Sequence, residues 1–207
     1  MFGESAFFSE LENIGAIVRN SHLIYTSGKH GTTYLNKDAV YPYTDLTSRL
    51  CQEMARRFEG EPVDVVVAPA IGAVILSTWV AHFLSQKKKK NVFAVYAEKS
   101  NDGFVFNRGY DQFVSGKNCL LVEDIINTGG SILKVIQATR KTKGQVLGVA
   151  AICNRGGVSA EDLDQIPKLE SLLNLSLTNE VWAPENCPLC KKGIPINISL
   201  GKGKSST

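Results

Sequence analysis

The stretch Leu120 to Ser131, L-L-V-E-D-I-I-N-T-G-G-S, constrains the fold more than any other part of the chain. The apolar run Cys119 to Val122 fits a strand buried on both faces of a parallel sheet. Two acids follow at once, Glu123 and Asp124, then Ile125, Ile126 and a small turn, Asn127-Thr128-Gly129-Gly130-Ser131. Ile132, Leu133, Val135 and Ile136 repeat at helical spacing, so a helix starts near Gly130 or Ser131. Strand, turn and helix start together make an anion site. Backbone N–H groups at a helix N-terminus point at the anion, and the helix dipole favours it. Glycines let the backbone come close, and the Thr128 and Ser131 hydroxyls can donate to phosphate oxygens. Two carboxylates repel a phosphate, so Glu123 and Asp124 suit sugar hydroxyls or a cation instead. The strings of a Walker loop, G-x-x-x-x-G-K-[ST], and of a dinucleotide loop, G-x-G-x-x-G, are absent.

The rest of the chain alternates in the same way. Helical spacing predicts helices over Ser5–Val18, Asp45–Phe58 and Val74–Leu84. Strands are expected at Asp64–Ala68, Asn91–Ala97, Val146–Ile152 and Leu169–Leu177, and a short one at Phe104–Phe106. Leu23–Tyr25 and Thr33–Leu35 suggest a hairpin or strand pair outside the main sheet. This pattern implies an α/β domain with right-handed crossovers and ligands at the carboxyl ends of the strands. A length of 207 residues supports one such domain with a core, and the tail 201–207 is expected to be disordered.

Composition excludes several function classes. Apolar content of 43% and a net charge of +3 are ordinary for a soluble globule and give no argument for nucleic acid. Val63 to Leu84 is interrupted by Asp64, Pro69 and Gly72, so no membrane span is expected. Met1 to Glu10 has acids and no basic n-region, so a cytoplasmic protein is expected. Lys87 to Lys90 reads as a solvated helix end. Of the five cysteines, Cys51, Cys119 and Cys153 read as small core residues. Cys187 and Cys190 form C-P-L-C, half of a zinc site; no second C-x-x-C or H-x-x-x-H completes four ligands within one chain. Two chains could share a metal through paired tails; a structural or incidental thiol pair with no metal is the expectation there.

Three further strand ends carry chemistry. Pro69-Ala70-Ile71-Gly72-Ala73 is a tight turn before a helix. Ala97-Glu98-Lys99 opens a polar excursion, Ser100 to Val114, that contains Arg108; such loops are often lids, and a surface β-hairpin is the alternative. Cys153-Asn154-Arg155-Gly156-Gly157 places an Arg, whose fork of donors matches a carboxylate.

The stretch Leu120–Ser131 resembles the phosphoribosyl-diphosphate motif of the type I phosphoribosyltransferases. Within them, Tyr25-Thr26-Ser27-Gly28-Lys29-His30-Gly31 and Tyr34-Leu35-Asn36-Lys37-Asp38 resemble the opening signature of the orotate phosphoribosyltransferases, and the likeness runs from about Ile24 to Gly157. The tail P-E-x-C-P-L-C-K-x-G-I-P is similar to one branch of them. The resemblance implies a central, mainly parallel sheet flanked by helices, with a small hood from about residues 1–40 plus the C-terminal segment. It implies transfer of phosphoribosyl from its diphosphate to orotate, with Mg²⁺, in a homodimer that shares a mobile loop. It implies that Asn127, Thr128, Gly129, Gly130 and Ser131 hold the 5-phosphate while Glu123 and Asp124 hold ribose hydroxyls, flanked by Ile125 and Ile126. Ala70, Ile71 and Gly72, with Lys99 and Arg108, would hold the diphosphate, and Asn127 and Arg155 would orient orotate. Glu123, Asp124 and Lys99 are the expected catalytic residues. The chain departs from the family where members often carry Lys, at Thr26 and Gly72, and where they carry Thr or Ser, at Asn127. Fewer basic residues in the loop leave two other readings open: a transferase for a purine or other base, and a regulator that only binds the sugar diphosphate.

Overall fold

A computed structural model describes residues 4–25, 27–175 and 180–200. They form two compact units, residues 43–175 in one and residues 4–42 with 180–200 in the other. Thr26 and the tail 201–207 lie outside the described residues.

The smaller unit opens with helix α1, Glu4–Asn13. The sequence predicts helix as far as Val18, but Gly15 takes a left-handed φ of 70° and the Ala16 N–H closes onto Leu11 O. A glycine that adopts this conformation at low cost ends the helix. The freed segment forms β1, Ile17–Val18. Strands β2, Leu23–Ile24, β3, His30–Gly31, and β4, Tyr34–Leu35, follow. The expected pairing of the Leu23 and Leu35 segments is corrected: β4 pairs with β1, and β2 pairs with β3, both antiparallel. The intervening polar turn itself supplies β3, so the hairpin closes earlier than β-propensity alone suggests.

In the larger unit, helix α2 spans Thr44–Arg56, with Leu46, Leu50 and Met54 buried on one face. Strand β5, Val65–Pro69, is buried throughout and leads through the turn 70–73 into α3, Val74–Lys88. Strand β6, Phe93–Ser100, turns back as β7, Gly103–Val105. Short helix α4, Asp111–Val114, precedes β8, Asn118–Ile126. Helix α5, Gly130–Lys141, then leads to β9, Gln145–Asn154, and β10, Leu169–Asn174. The C-terminal segment, in the smaller unit, supplies β11, Val181–Trp182, which adds to β3, and α6, Pro188–Lys191.

The six-stranded sheet has the order β10-β9-β8-β5-β6-β7, parallel except for the β6–β7 hairpin. Val65, Val67 and Leu121 point to the face where Ile132, Val135 and Ile136 of α5 complete one core cluster. Val66 and Leu120, which alternate with them, are also fully buried. Both faces are therefore covered, which is why these strands read as unbroken apolar runs. Each such side chain contributes about 1.5–3 kcal/mol by leaving water. Lys87 and Lys88 end α3, and the Lys88 ammonium donates to Glu59 O at 2.9 Å, capping a carbonyl at the edge of the unit. Asp64, just before β5, accepts from the Asn118 N–H at 3.1 Å and from Lys90 at 3.0 Å. Partial burial works against its charge, yet these two donors win and hold its pKa below the usual carboxylate value. Among the described residues, no helix is long and apolar enough to cross a membrane.

Candidate active site

Because β5, β6, β8 and β9 are parallel neighbours, their four carboxyl ends lie along one edge of the sheet. Strand β8 runs through both acids and stops at Ile126, where the turn to α5 begins. Gly129 is the residue before α5 and takes φ of 75°, the left-handed conformation that turns the chain into the helix. A Cβ there would also meet Leu163 Cδ2 at 2.9 Å, so the position favours glycine twice over. Thr128 Oγ1 accepts from the Gly130 N–H at 3.4 Å.

Two clefts flank this turn. The first, about 140 Å³, is lined by Glu123 and by the run from Ile125 to Ile132, all five turn residues included. The second, about 430 Å³, shares Thr128, Gly130 and Ser131 and adds Lys99, Ser100 and Lys134. One wall of the turn thus meets a carboxylate and the other meets two ammonium groups. Lys134 has no counterpart in the sequence reading. Its signal was its place one turn into α5, on the face of Gly130 and Ser131.

The acid pair divides. Glu123 and Asp124 are both buried, 7% and 4% exposed. Successive strand residues face opposite ways, and of the two only Glu123 lines the first cleft. The Glu123 carboxylate accepts from the Asp124 N–H at 3.1 Å, and the Asp124 carboxylate from the Ile125 N–H at 2.6 Å. Each acid is thus tied to the backbone at the strand end.

The turn after β9 is stitched to the same place. The Arg155 and Gly156 N–H groups donate to Ile126 O at 2.9 and 3.2 Å. A Cβ on Gly156 would lie 1.5 Å from Asn127 O, so no other residue fits without moving that backbone. Asn154 closes the turn, donating to Val158 O at 2.7 Å and accepting from the Val158 N–H at 3.1 Å. Arg155 and Asn127 therefore sit on adjoining turns, although Arg155 lines neither cleft. Ala70, Ile71 and Gly72 form the turn after β5, anchored by the Ala70 N–H on Ala97 O at 2.8 Å. The Ala70–Ile71 peptide is cis and Ile71 is exposed. These three line neither cleft.

The excursion after Lys99 begins as a β-hairpin and ends in α4. Lys99 pairs with Phe104, and Tyr110 packs against Tyr96 with ring centres 5.1 Å apart. Arg108 does not reach the clefts. Its guanidinium donates to Glu98 at 3.1 and 3.2 Å, and the Asn107 amide adds a bond at 2.6 Å. First the Asn107 amide and then Arg108 hold Glu98 below the ordinary carboxylate pKa.

A family model, the phosphoribosyl transferase domain, matches residues 42–182. The orotate phosphoribosyltransferase of Caldicellulosiruptor bescii is 34% identical over 193 residues, 93% of this chain and 95% of that protein. The chain belongs to the orotate phosphoribosyltransferase family. A second relative, the orotate phosphoribosyltransferase of Thermotoga maritima, is 36% identical over 93% of this chain and 96% of its own. Among solved structures, the Mycobacterium tuberculosis orotate phosphoribosyltransferase in complex with Fe(III) dicitrate aligns with a TM-score of 0.67 at 20% identity. It covers 84% of this chain and 97% of its own. The adenine phosphoribosyltransferase of Thermoanaerobacter pseudethanolicus aligns at 0.61 with 18% identity, over 79% of this chain and 99% of its own. The likeness to solved structures of both activities shows the shared fold. The likeness in sequence selects the orotate family.

One expectation fails outside this site. Cys187 and Cys190 do have partners in the same chain: their thiols face His22 and His30 of the smaller unit. The histidines escaped a spacing search because they are eight apart and more than 150 residues upstream.

Proposed function

We infer that this protein transfers the phosphoribosyl group from 5-phosphoribosyl 1-diphosphate to orotate, giving orotidine 5-monophosphate and diphosphate. The observation that carries this reading is the shared cleft. One carboxylate, Glu123, and an amide-lined helix entry, Asn127 to Ser131, face the same space. That pairing suits a sugar phosphate: donors for the phosphoryl end, an acceptor for the hydroxyls. The base follows from the two orotate phosphoribosyltransferases that match almost the whole chain.

In this reading the turn amides and the Thr128 and Ser131 hydroxyls fix the 5-phosphate. Glu123 accepts from the ribose hydroxyls and, with the buried charge of Asp124 behind it, favours the positive charge that builds on the ring as the leaving group departs. Lys99 and Lys134 draw the diphosphate to the second cleft, with the Ala70–Gly72 turn beside it on the sheet edge. Arg155 and Asn127 hold orotate, the guanidinium fork matching its carboxylate. Arg108 would serve the diphosphate only after leaving Glu98. Positioning and charge complementarity then supply most of the rate.

Mg²⁺ fits this donor set. Glu123 and Asp124 offer hard oxygen ligands, but two carboxylates do not make a cage, which suits an ion carried on substrate oxygens. When bound, it neutralises diphosphate charge. A homodimer in the cytoplasm completes the proposal; five free cysteines are in keeping with a reducing compartment.

A base panel tests the reading. With sugar diphosphate and Mg²⁺ present, orotate absorbance should fall as diphosphate appears, while adenine, guanine and uracil stay unchanged. Turnover of a purine with orotate ignored would transfer the activity to another base. Donor binding with no turnover on any base would leave a sensor.

A further inference from the structure

The smaller unit holds a cluster unconnected with sugar or base. His22 precedes β2, and His30 lies in β3, where it pairs with Ile24 on one side and Trp182 on the other. The hairpin register therefore sets the two imidazoles near each other. Cys187 is the residue before α6, and Cys190 follows within its single turn, so both thiols share one side. His22 Nε2 lies 3.6 Å from each sulfur, and His30 Nδ1 lies 3.3 Å from Cys190 Sγ and 2.9 Å from His22 Nε2. All four atoms fall within 4.8 Å of one another. Around a tetrahedral zinc, with bonds of about 2.0–2.1 Å to nitrogen and about 2.3 Å to sulfur, neighbouring ligand atoms are about 3.3–3.8 Å apart. The three sulfur–nitrogen spacings fall in that window, and the two histidine nitrogens stand closer.

Two further features point the same way. The other ring nitrogen of His22, Nδ1, is 2.7 Å from Ile194 O. A carbonyl can only accept, so Nδ1 carries the proton and the Nε2 lone pair faces the sulfurs. That is the supporting bond that ligating imidazoles commonly make. Charge is the second feature. His22, His30 and Cys187 are buried, 3%, 6% and 0% exposed. Zn²⁺ with two thiolates and two neutral imidazoles sums to zero, and a neutral complex avoids the cost of a buried net charge.

We propose that His22, His30, Cys187 and Cys190 form a closed, structural zinc site within one chain. Binding displaces the two thiol protons to solvent and makes four metal–ligand bonds. With all four positions taken by protein, the metal has no open site for catalysis. Its role is to staple the N-terminal hairpin to the C-terminal segment. It also flanks the pairing of Tyr25 with Lys29, where the Tyr25 N–H donates to Lys29 O at 2.8 Å. Mixed nitrogen and thiolate ligands in a tetrahedron select zinc over magnesium or calcium.

Metal analysis of the purified full chain tests this. About one zinc per chain is expected. Replacement by Co²⁺ should give an intense thiolate-to-cobalt charge-transfer band and tetrahedral visible bands. The double variant Cys187→Ser, Cys190→Ser should lose zinc and the charge-transfer band, whereas His82→Gln, an exposed histidine elsewhere, should keep both. Should the double variant fail to fold, the wild-type cobalt spectrum decides alone. Iron in place of zinc, no metal in the wild type with no charge-transfer band on cobalt addition, or full zinc in the double variant would each overturn the proposal.

Discussion

The turn after β8 and the cluster of His22, His30, Cys187 and Cys190, both proposed to hold an ion, are built by opposite routes. The turn is contiguous: every residue that lines its first cleft lies between Glu123 and Ile132. Its geometry comes from one strand end and one helix start, so local rules suffice to read it. The cluster is assembled from segments up to 168 residues apart, brought together by strand pairing of β3 with β2 and β11. Local spacing shows only the C-P-L-C half of it; the two histidines carry no trace. A contiguous site shows its chemistry in sequence order, and a long-range site shows it only after folding.

Four measurements would break or sharpen that contrast, beginning with the largest effect. Stripping zinc with a strong chelator should unfold the smaller unit, because structural zinc in small motifs contributes on the order of 10 kcal/mol to folding. A thermal unfolding curve unchanged by chelation would deny the staple any structural weight. Next, Gly156→Val should cost at least about 2 kcal/mol of stability in denaturant unfolding and abolish turnover. Its Cβ would have to displace the Asn127 carbonyl, 1.5 Å away. Normal turnover in that variant would disconnect the β9 turn from the site. Third, Asp124→Asn should lower turnover at least tenfold, about 1.4 kcal/mol of barrier. An unchanged rate would leave Glu123 as the only working acid of the pair.

The smallest effect concerns Asp64, which lies outside both sites. Asp64→Asn should cost roughly 1 kcal/mol or less at neutral pH, since in its pair with Lys90 the carboxylate is 33% and the lysine 47% exposed. Its folded pKa is lowered, so this contribution is present above the ordinary carboxylate range. The contribution should disappear as pH falls through that lowered value, and wild type and variant should then unfold alike. A difference that persists in acid would mean that the charge of Asp64 is not what stabilises β5 and β8.

Much of the larger unit was legible because burial left a periodic signature. Val65–Val67 and Cys119–Val122 are continuous apolar runs, and the sheet buries both their faces. The five residues from Asn127 to Ser131 were placed correctly at a helix entry. Four things were not legible. The division of Glu123 from Asp124 depends on strand pleat, which only the completed sheet orients. Gly156 carries no signal until β9 is seen beside β8, when Asn127 O occupies the space of its side chain. The pairing of β1 with β4 depends on Gly15 ending α1 early, whereas apolar spacing continues to Val18. Arg108 was expected at the diphosphate, and its pairing with Glu98 follows from hairpin register ten residues back.

The central claim is that the amides between Asn127 and Ser131 grip the phosphoryl end of the sugar donor. Backbone ¹⁵N–¹H spectra, recorded while 5-phosphoribosyl 1-diphosphate and Mg²⁺ are added, address those amides one by one. The Thr128, Gly129, Gly130 and Ser131 signals should move most, in step with binding. Saturation by the donor with those four signals unmoved would contradict the account.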